Sequence, residues 1–246
     1  MGNIYLDNAA STPLTPEVID VIHKSMLNTK GNPSSIHSFG RIAKAKLETA
    51  RKSIASIINA SPSEIFFTSG GTEADNLALQ TAVYSLKVKR IITCKTEHHA
   101  VLNTIIFLKN NKNVQVDYVN LNNDGSVDLV HLDKLLSGST KTLVSLMHVN
   151  NETGTELNIG EVAKMCKANN TLFHSDIIQS IGYYDLDVKE LGIDFIVCSA
   201  HKFHGPKGVG FLYIKQGLSI NPLTFGGNQE RGIRPGTENI HSILGL

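Results

Sequence analysis

Three chemically suggestive features of the sequence each directly follow a short apolar segment: a glycine-rich turn, an aspartate and a lysine. Ser69-Gly70-Gly71-Thr72 precedes a predicted helix, whose unpaired N–H groups and partial positive charge favour a phosphate group. Asp176 ends a second apolar segment, where a carboxylate needs a cation or several hydrogen-bond donors. Lys202 follows a third, where desolvation lowers the pKa of an amine and favours its use as a nucleophile.

Taken alone, each feature has an ordinary structural interpretation, namely a helix cap, a second helix cap and a surface lysine. The turn also lacks the Gly-Lys-Ser/Thr ending of a nucleotide P-loop and the Gly-x-Gly-x-x-Gly pattern. Together, however, they supply a phosphate site, a carboxylate for a pyridine nitrogen and an amine for an aldehyde. Pyridoxal 5'-phosphate (PLP) requires these three groups, so the sequence predicts a PLP site.

The composition favours a soluble globular protein and excludes several other classes. The chain has 246 residues, 41% hydrophobic and 18% charged, with a net charge of +1, so neither nucleic acid nor a membrane surface is an expected partner. It contains no apolar run of membrane-spanning length and no secretory signal, and we expect a cytoplasmic location. Cys94, Cys166 and Cys198 are too scattered for a disulfide framework, and no metal site is predicted.

Helical and strand patterns alternate along the chain, which predicts an α/β fold with a mostly parallel sheet flanked by helices. The seven expected strands are 64–68, 90–93, 114–119, 142–148, 172–175, 195–198 and 210–214. The expected helices are 15–27, 38–60, 72–86, 98–110, 128–136 and 159–169. Ligands of such sheets bind beyond the carboxyl ends of the strands, and the three features should therefore lie close together.

Further motifs in a fixed order give the chain a resemblance to the NifS/IscS-type cysteine desulfurases, within the class V aminotransferase-like PLP enzymes. The motifs are 5–10, 31–35, 67–73, Glu97-His98, 147–152, 176–180, His201-Lys202, 205–208 and 230–237. The resemblance implies the large domain of PLP fold type I, with a seven-stranded sheet, and a homodimer. We expect residues 1–14 to form an N-terminal arm at the active site, 15–246 to form the PLP-binding domain, and a C-terminal small domain to be largely missing.

The resemblance also implies roles for individual residues. Lys202 would bind PLP covalently and act in catalysis with His98, which stacks on the ring. The other implied contacts are Gly71, Thr72, Ser199 and His201 to the phosphate, Asp176 to the ring nitrogen, Gln179 to the ring hydroxyl, Asn151 beside the ring, and Thr237 to the phosphate in the other subunit.

The implied reaction converts L-cysteine to L-alanine and leaves the sulfur as a persulfide on a protein cysteine. The sulfur then passes to an acceptor protein of iron–sulfur cluster or tRNA-thiolation pathways. The flexible loop that carries this cysteine in the family is not found in the sequence. Cys198 lies in a buried-looking strand, Cys166 in a helical segment and Cys94 after a strand, and none of the three is expected to be exposed and activated as a persulfide donor must be.

Two other functions stay open at this stage. One is a different class V PLP enzyme, such as a selenocysteine lyase or an aminotransferase. The other is a catalytically silent module that keeps the fold. The presence of Lys202, Asp176 and His98 argues against the silent module, which would not need all three.

Overall fold

The computed structural model describes residues 4–246 and shows an α/β fold built on one seven-stranded sheet. The strands are β1 (Ile65–Thr68), β2 (Arg90–Thr93), β3 (Gln115–Tyr118), β4 (Thr142–Ser145), β5 (Leu172–Asp176), β6 (Phe195–Ser199) and β7 (Gly210–Ile214), in the order β1-β7-β6-β5-β4-β2-β3. Strand β7 is antiparallel to both of its neighbours, and the other six run in one direction. The predicted mostly parallel sheet is confirmed.

Eight α-helices flank or cap the sheet in the described part of the chain. They are α1 (Pro16–Asn28), α2 (Ser38–Ile57), α3 (Gly71–Tyr84), α4 (His99–Lys112), α5 (Leu129–Leu136), α6 (Ile159–Ala168), α7 (Val188–Leu191) and α8 (Ile240–Leu244). Within residues 4–246, no helix is long and apolar enough to cross a membrane.

The two faces of the sheet bury two separate hydrophobic clusters, because successive strand residues point to opposite sides. Ile91 packs with the α3 and α4 side chains, whereas its neighbour Ile92 packs with those of α2, α5 and α6. Because both faces are covered, β1, β4, β6 and β7 are buried at every residue and consist mainly of apolar residues. The rigid sheet that results fixes the loops at its carboxyl edge.

The structure differs from the sequence prediction mainly at element ends. The helix predicted over 38–60 ends at Ile57, because Asn59 takes a left-handed conformation with φ 53° and turns the chain. The strand predicted over 142–148 ends at Ser145, although His148 N–H still donates to the Asp176 carbonyl. Helix α7 was not predicted, because four residues are too few to show a helical period.

Candidate active site

A cavity of about 170 Å³ opens at the edge of the sheet where β1, β2, β4, β5 and β6 end. The structure brings every predicted site residue except Thr237 to its wall. The lining residues are Gly71, Thr72, His98, Met147, Asn151, Asp176, Ile178, Gln179, Ser199, His201 and Lys202. They lie at or after the ends of five separate strands, which the sheet holds side by side.

A larger groove of about 870 Å³ lies beside α6 and α7, with His148, Glu156 and Tyr184 in its wall. It is broad and open, and it contains none of the predicted site residues. Cavity size therefore does not identify the site in this molecule, whereas the convergence of chemically distinct groups does.

The glycine-rich turn delivers the start of α3 to one end of the cavity. Gly70 precedes the helix with φ 146° and ψ −173°, a backbone conformation that only glycine adopts readily. The Glu73 carboxylate accepts the Ser69 N–H at 2.7 Å and fixes the turn. The first N–H groups of α3 have no acceptor within the helix, and with Ser199 nearby they form a site for an anion.

Asp176 is the last residue of β5 and is 4% exposed. One of its carboxylate oxygens accepts the Ile178 N–H at 2.9 Å. The pKa of Asp176 is raised to about 8. Burial is the largest cause and the Asp75 carboxyl the second, whereas His174 and Lys202 lower the pKa. A cation that binds in the cavity would stabilise the ionised form of Asp176, and this interaction would favour its binding.

Lys202 ends a short 3₁₀ turn, Ala200–Lys202, directly after β6. Burial lowers the pKa of its amine, although Asp176, Asp7 and Glu152 partly offset the effect. The amine donates hydrogen bonds to the carbonyls of Ala9 and Ala10. A half-buried amine whose pKa is lowered in this way is suited to nucleophilic and proton-transfer chemistry.

The N-terminal segment is bound to the loop that carries Lys202. Thr12 N–H donates to the His201 carbonyl at 2.8 Å, and the Thr12 hydroxyl accepts the His204 N–H at 2.6 Å. The His201 ring lies 3.3 Å from the Ser11 hydroxyl. This segment thus forms part of the wall around Lys202.

His98 caps the start of α4 and places its ring at the cavity. Its Nδ1 accepts the Ala100 N–H at 3.1 Å, so the proton of the neutral ring is on Nε2. Burial, with His99 and Lys202, lowers the pKa of His98 and keeps the ring neutral. Gln179 also lines the cavity, and its amide donates to the Ala9 carbonyl at 2.9 Å.

Thr237 is exposed and lies outside the cavity. It follows the turn Gln229–Gly232, which a buried ion pair holds against β1. The Glu230 carboxylate accepts from the Arg51 guanidinium at 2.7 and 2.8 Å and from the Phe67 N–H at 2.8 Å. The expected contact of Thr237 with a second subunit stays a prediction.

Cys94, Cys166 and Cys198 are all buried, and none lines the cavity. Burial raises the pKa of the Cys166 thiol to about 12 and raises that of Cys198 well above its usual value. Neither thiol is set up to form a thiolate nucleophile at neutral pH.

Sequence analysis assigned no role to three titratable groups near Asp176, namely Asp75, Glu97 and His174, although Glu97 is part of the Glu97-His98 motif. Each is at most 5% exposed. A signal existed for His174, because the period of two in a strand places it on the same face as Asp176. Nothing in the sequence indicated that Asp75, on α3, would face the same point.

The motif order and the site geometry agree with a known family. The model of the class V aminotransferases matches residues 4–246. The chain belongs to the class V aminotransferase family. Cysteine desulfurase IscS of Dictyoglomus turgidum is 46% identical over 245 residues, which cover 99% of this chain and 62% of that relative. The chain thus spans about three fifths of the length of this curated relative.

Solved structures of family members confirm the fold and the resemblance to NifS/IscS proteins. A NifS-like protein superposes with a TM-score of 0.95 at 42% identity, covering 99% of this chain and 68% of the other. A solved structure of SspA in complex with cysteine superposes with a TM-score of 0.93 at 34% identity, covering 99% of this chain and 71% of the other. The predicted PLP fold type I architecture is therefore confirmed.

Proposed function

We propose that this chain carries the PLP site of a cysteine desulfurase. The observation that supports this most directly is the convergence of four groups on one cavity: the start of α3, Asp176, Lys202 and His98. The relative of Dictyoglomus turgidum is named a cysteine desulfurase, and the related SspA structure is a complex with cysteine. The substrate proposed for this chain is therefore L-cysteine.

The residues present fit PLP in the chemistry of their donors. The helix start, with Thr72, Ser199 and His201, would hold the phosphate, and Asp176 would face the ring nitrogen. Gln179 would contact the ring hydroxyl, with Asn151 beside the ring. When bound, PLP supplies an aldehyde that captures amines and a protonated ring that accepts the electron pair released at the substrate Cα.

Three residues of the chain would then transfer or hold the protons of the reaction. The Nζ of Lys202, with its lowered pKa, would take the proton from the substrate Cα and return it later. Asp176 would keep the ring nitrogen protonated, since the ion pair stabilises both charges. His98 is neutral with its proton on Nε2 and would exchange protons with the substrate at the cavity wall.

Sulfur transfer balances as L-cysteine plus a protein thiol giving L-alanine plus a protein persulfide. The thiolate forms an S–S bond to the substrate sulfur while the Cβ–S bond breaks, and a proton is added at Cβ. Because Cys94, Cys166 and Cys198 are buried, we propose that the accepting thiol is none of these three. A protein of iron–sulfur cluster or tRNA-thiolation pathways would then receive the sulfur.

The proposal includes a cytoplasmic homodimer in which Thr237 reaches the cofactor phosphate of the other subunit, supported by the family resemblance alone. It also includes residues 1–14 as an N-terminal arm at the active site and 15–246 as the PLP-binding domain. The contacts of Ala9, Ala10 and Thr12 with the loop around Lys202 support the arm. Residues 1–3 lie outside the described part of the chain.

The test is the absorbance of the purified chain with PLP, before and after L-cysteine, with a small thiol added as sulfur acceptor. We expect a bound-cofactor band that cysteine changes, together with alanine. Lys202→Ala should lose the band. Lys134→Ala is the control, because Lys134 is an exposed lysine of α5 that does not line the cavity, and it should behave like the wild type.

Other outcomes would separate the alternatives. A band that responds to L-selenocysteine or to a 2-oxo acid, but not to L-cysteine, would contradict the desulfurase proposal in favour of another class V activity. A band indifferent to every amino acid would support the silent module. No band in the wild type would contradict PLP binding by this chain.

A further inference from the structure

Three buried titratable side chains lie near Asp176 without lining the cavity, and the proposed chemistry does not use them. Asp75 projects from α3 and is 0% exposed, as is His174, which lies two residues before Asp176 on β5. Glu97, in the loop after β2, is 5% exposed. Such groups are costly to bury, and their protonation therefore needs a physical account.

Asp75, His174 and Ser145 form a chain of contacts across the sheet. The Nδ1 of His174 is 2.9 Å from the Ser145 hydroxyl, on the neighbouring strand β4. Its Nε2 is 3.3 Å from Oδ1 of Asp75. Among the described residues, the Asp75 oxygens and the Nε2 of His174 have no other hydrogen-bond partner.

One carboxyl oxygen of Glu97 accepts a hydrogen bond, and the other has no partner among the described residues. Its Oε1 accepts the Met147 N–H at 2.8 Å, which ties the loop that carries His98 to the end of β4. Its Oε2 is buried without a partner within residues 4–246. A carboxylate anion in that position would be poorly solvated, whereas a protonated carboxyl would lose much less.

The charges of groups buried this deeply cannot all be present together. Burial raises the pKa of Asp75 and of Glu97 well above their usual values, and Asp176 adds to the effect at Glu97. Burial lowers the pKa of His174 to about 4. All three shifts favour the neutral form at neutral pH, so Asp75 and Glu97 are protonated and the imidazole is uncharged.

We propose that Asp75, Glu97 and His174 are positioning residues that hold their protons so that, when a cation occupies the cavity, the negative charge of this region resides on Asp176 alone. The Asp75 hydroxyl donates to Nε2 of His174, and the Nδ1–H of His174 donates to Ser145. The functional part of this inference rests on the proposed role of Asp176 toward PLP. The protonation of the three residues does not depend on that role.

The titratable groups near Asp176 come from several elements, and their charges agree with a negative charge on Asp176 alone. His174 faces it from β5, Asp75 from α3 and Glu97 from the loop after β2. From β6 and the turn beyond it, the Cys198 thiol is neutral and the Lys202 amine favours an ionised Asp176. Asp176 is also the carboxyl group in the cavity wall, where a cation can reach it.

Amides are the matched substitutions, because they imitate a protonated carboxyl in shape and charge. Asp75→Asn and Glu97→Gln should bind PLP within about threefold of the wild type, with the same midpoint in the pH dependence of binding. If either acid were ionised, its amide would remove a negative charge beside Asp176. The midpoint would then fall by about one pH unit, a tenfold change in affinity below the midpoint.

The deciding experiment is infrared difference spectroscopy of the cofactor-free chain at neutral pH, in the carbonyl region of protonated carboxyls. Each difference spectrum, wild type minus variant, should show one carbonyl band of a protonated carboxyl that the variant lacks. We expect this for both Asp75→Asn and Glu97→Gln. Asp117→Asn is the control, since the Asp117 carboxylate pairs with the Arg90 guanidinium and should show none. Absence of the bands would overturn the inference.

Two further measurements keep the inference falsifiable if an amide variant does not fold. ¹⁵N spectra of labelled histidine, assigned with His174→Gln, should show a neutral ring protonated on Nδ1, and an imidazolium at neutral pH would contradict the account. PLP titration then tests the role toward Asp176. Failure of the wild type to bind PLP would sink the proposed function, whereas binding with a midpoint lowered in either amide variant would sink the inference.

Discussion

The Asp176 carboxyl is buried at the end of β5, yet it has to be ionised when it serves a cationic ring nitrogen. In the cofactor-free chain its raised pKa of about 8 means that folding retains a proton which the unfolded chain releases near pH 4. Through this group, the wild type therefore loses stability as the pH rises from about 4 to about 8.

Asp176→Asn removes this pH-dependent loss. The cofactor-free variant should equal the wild type in stability near pH 4 and exceed it increasingly toward pH 8. Urea unfolding at several pH values measures the difference. The same variant should bind PLP at least tenfold more weakly, because an amide cannot form the ion pair. A stability difference that does not change with pH would contradict the raised pKa.

Those site residues that directly follow apolar segments could be predicted from the sequence. Asp176 and Lys202 stood out because strand ends in an α/β fold face the ligand side. Asp75 and His174 did not stand out, because their contact depends on the face of α3 and on the register that pairs His174 with Ser145. Sequence periodicity alone does not show which part of the sheet α3 packs on, or which residues of β4 and β5 pair.

At the scale of elements, the close approach of β7 to the glycine-rich turn places the anion end of the cavity. A Cβ on Gly210 would lie 2.2 Å from the Cys198 carbonyl oxygen and 3.0 Å from the Gly70 Cα. Both neighbours are backbone atoms and cannot move aside cheaply. The start of β7 therefore has to be glycine for β6, β7 and the turn to pack as they do.

Gly210→Ala should destabilise the fold by about 1–3 kcal/mol, because the added methyl overpacks the sheet. Gly160→Ala is the control, since its Cβ would meet only ordinary contacts at 3.8 and 3.9 Å in α6. That change should raise stability by about 0.5–1 kcal/mol through helix propensity. Denaturant unfolding checks both, and equal effects in the two variants would contradict the packing argument.

Elements with a clear period were predictable, and the others were not. Helix α2 and strands β1 and β7 lie close to their expected positions because their apolar patterns are long or unbroken. Helix α7 depends on its Asp187 cap and on packing against α6, which a four-residue segment does not reveal. Strand order likewise depends on long-range pairing and could not be derived from local patterns.

At the scale of the whole molecule, the Arg51–Glu230 pair joins α2 and β1 to a turn far along the chain. Both side chains are at most 3% exposed. Glu230→Ala should cost about 3–5 kcal/mol, because the only carboxylate left to the buried guanidinium is the partly exposed one of Glu48 at 3.3 Å, and the buried Phe67 N–H loses its acceptor.

The exposed pair Asp20–Lys24 provides the comparison for this effect. Its N···O distance is a similar 2.6 Å, but solvent screens both charges. Asp20→Ala should therefore change stability by less than about 1 kcal/mol. Thermal unfolding of the two variants under the same conditions measures the contrast. Similar losses in both would show that burial does not decide the contribution of these pairs.

The central claim is that Lys202 binds PLP covalently at the carboxyl edge of the sheet. The most direct measurement is borohydride reduction of the chain after incubation with PLP, followed by peptide mass spectrometry to locate the modified lysine. The account predicts one dominant PLP adduct on Lys202, absent from Lys202→Ala. An adduct mainly on Lys207 or on scattered surface lysines, or no adduct at all, would contradict it.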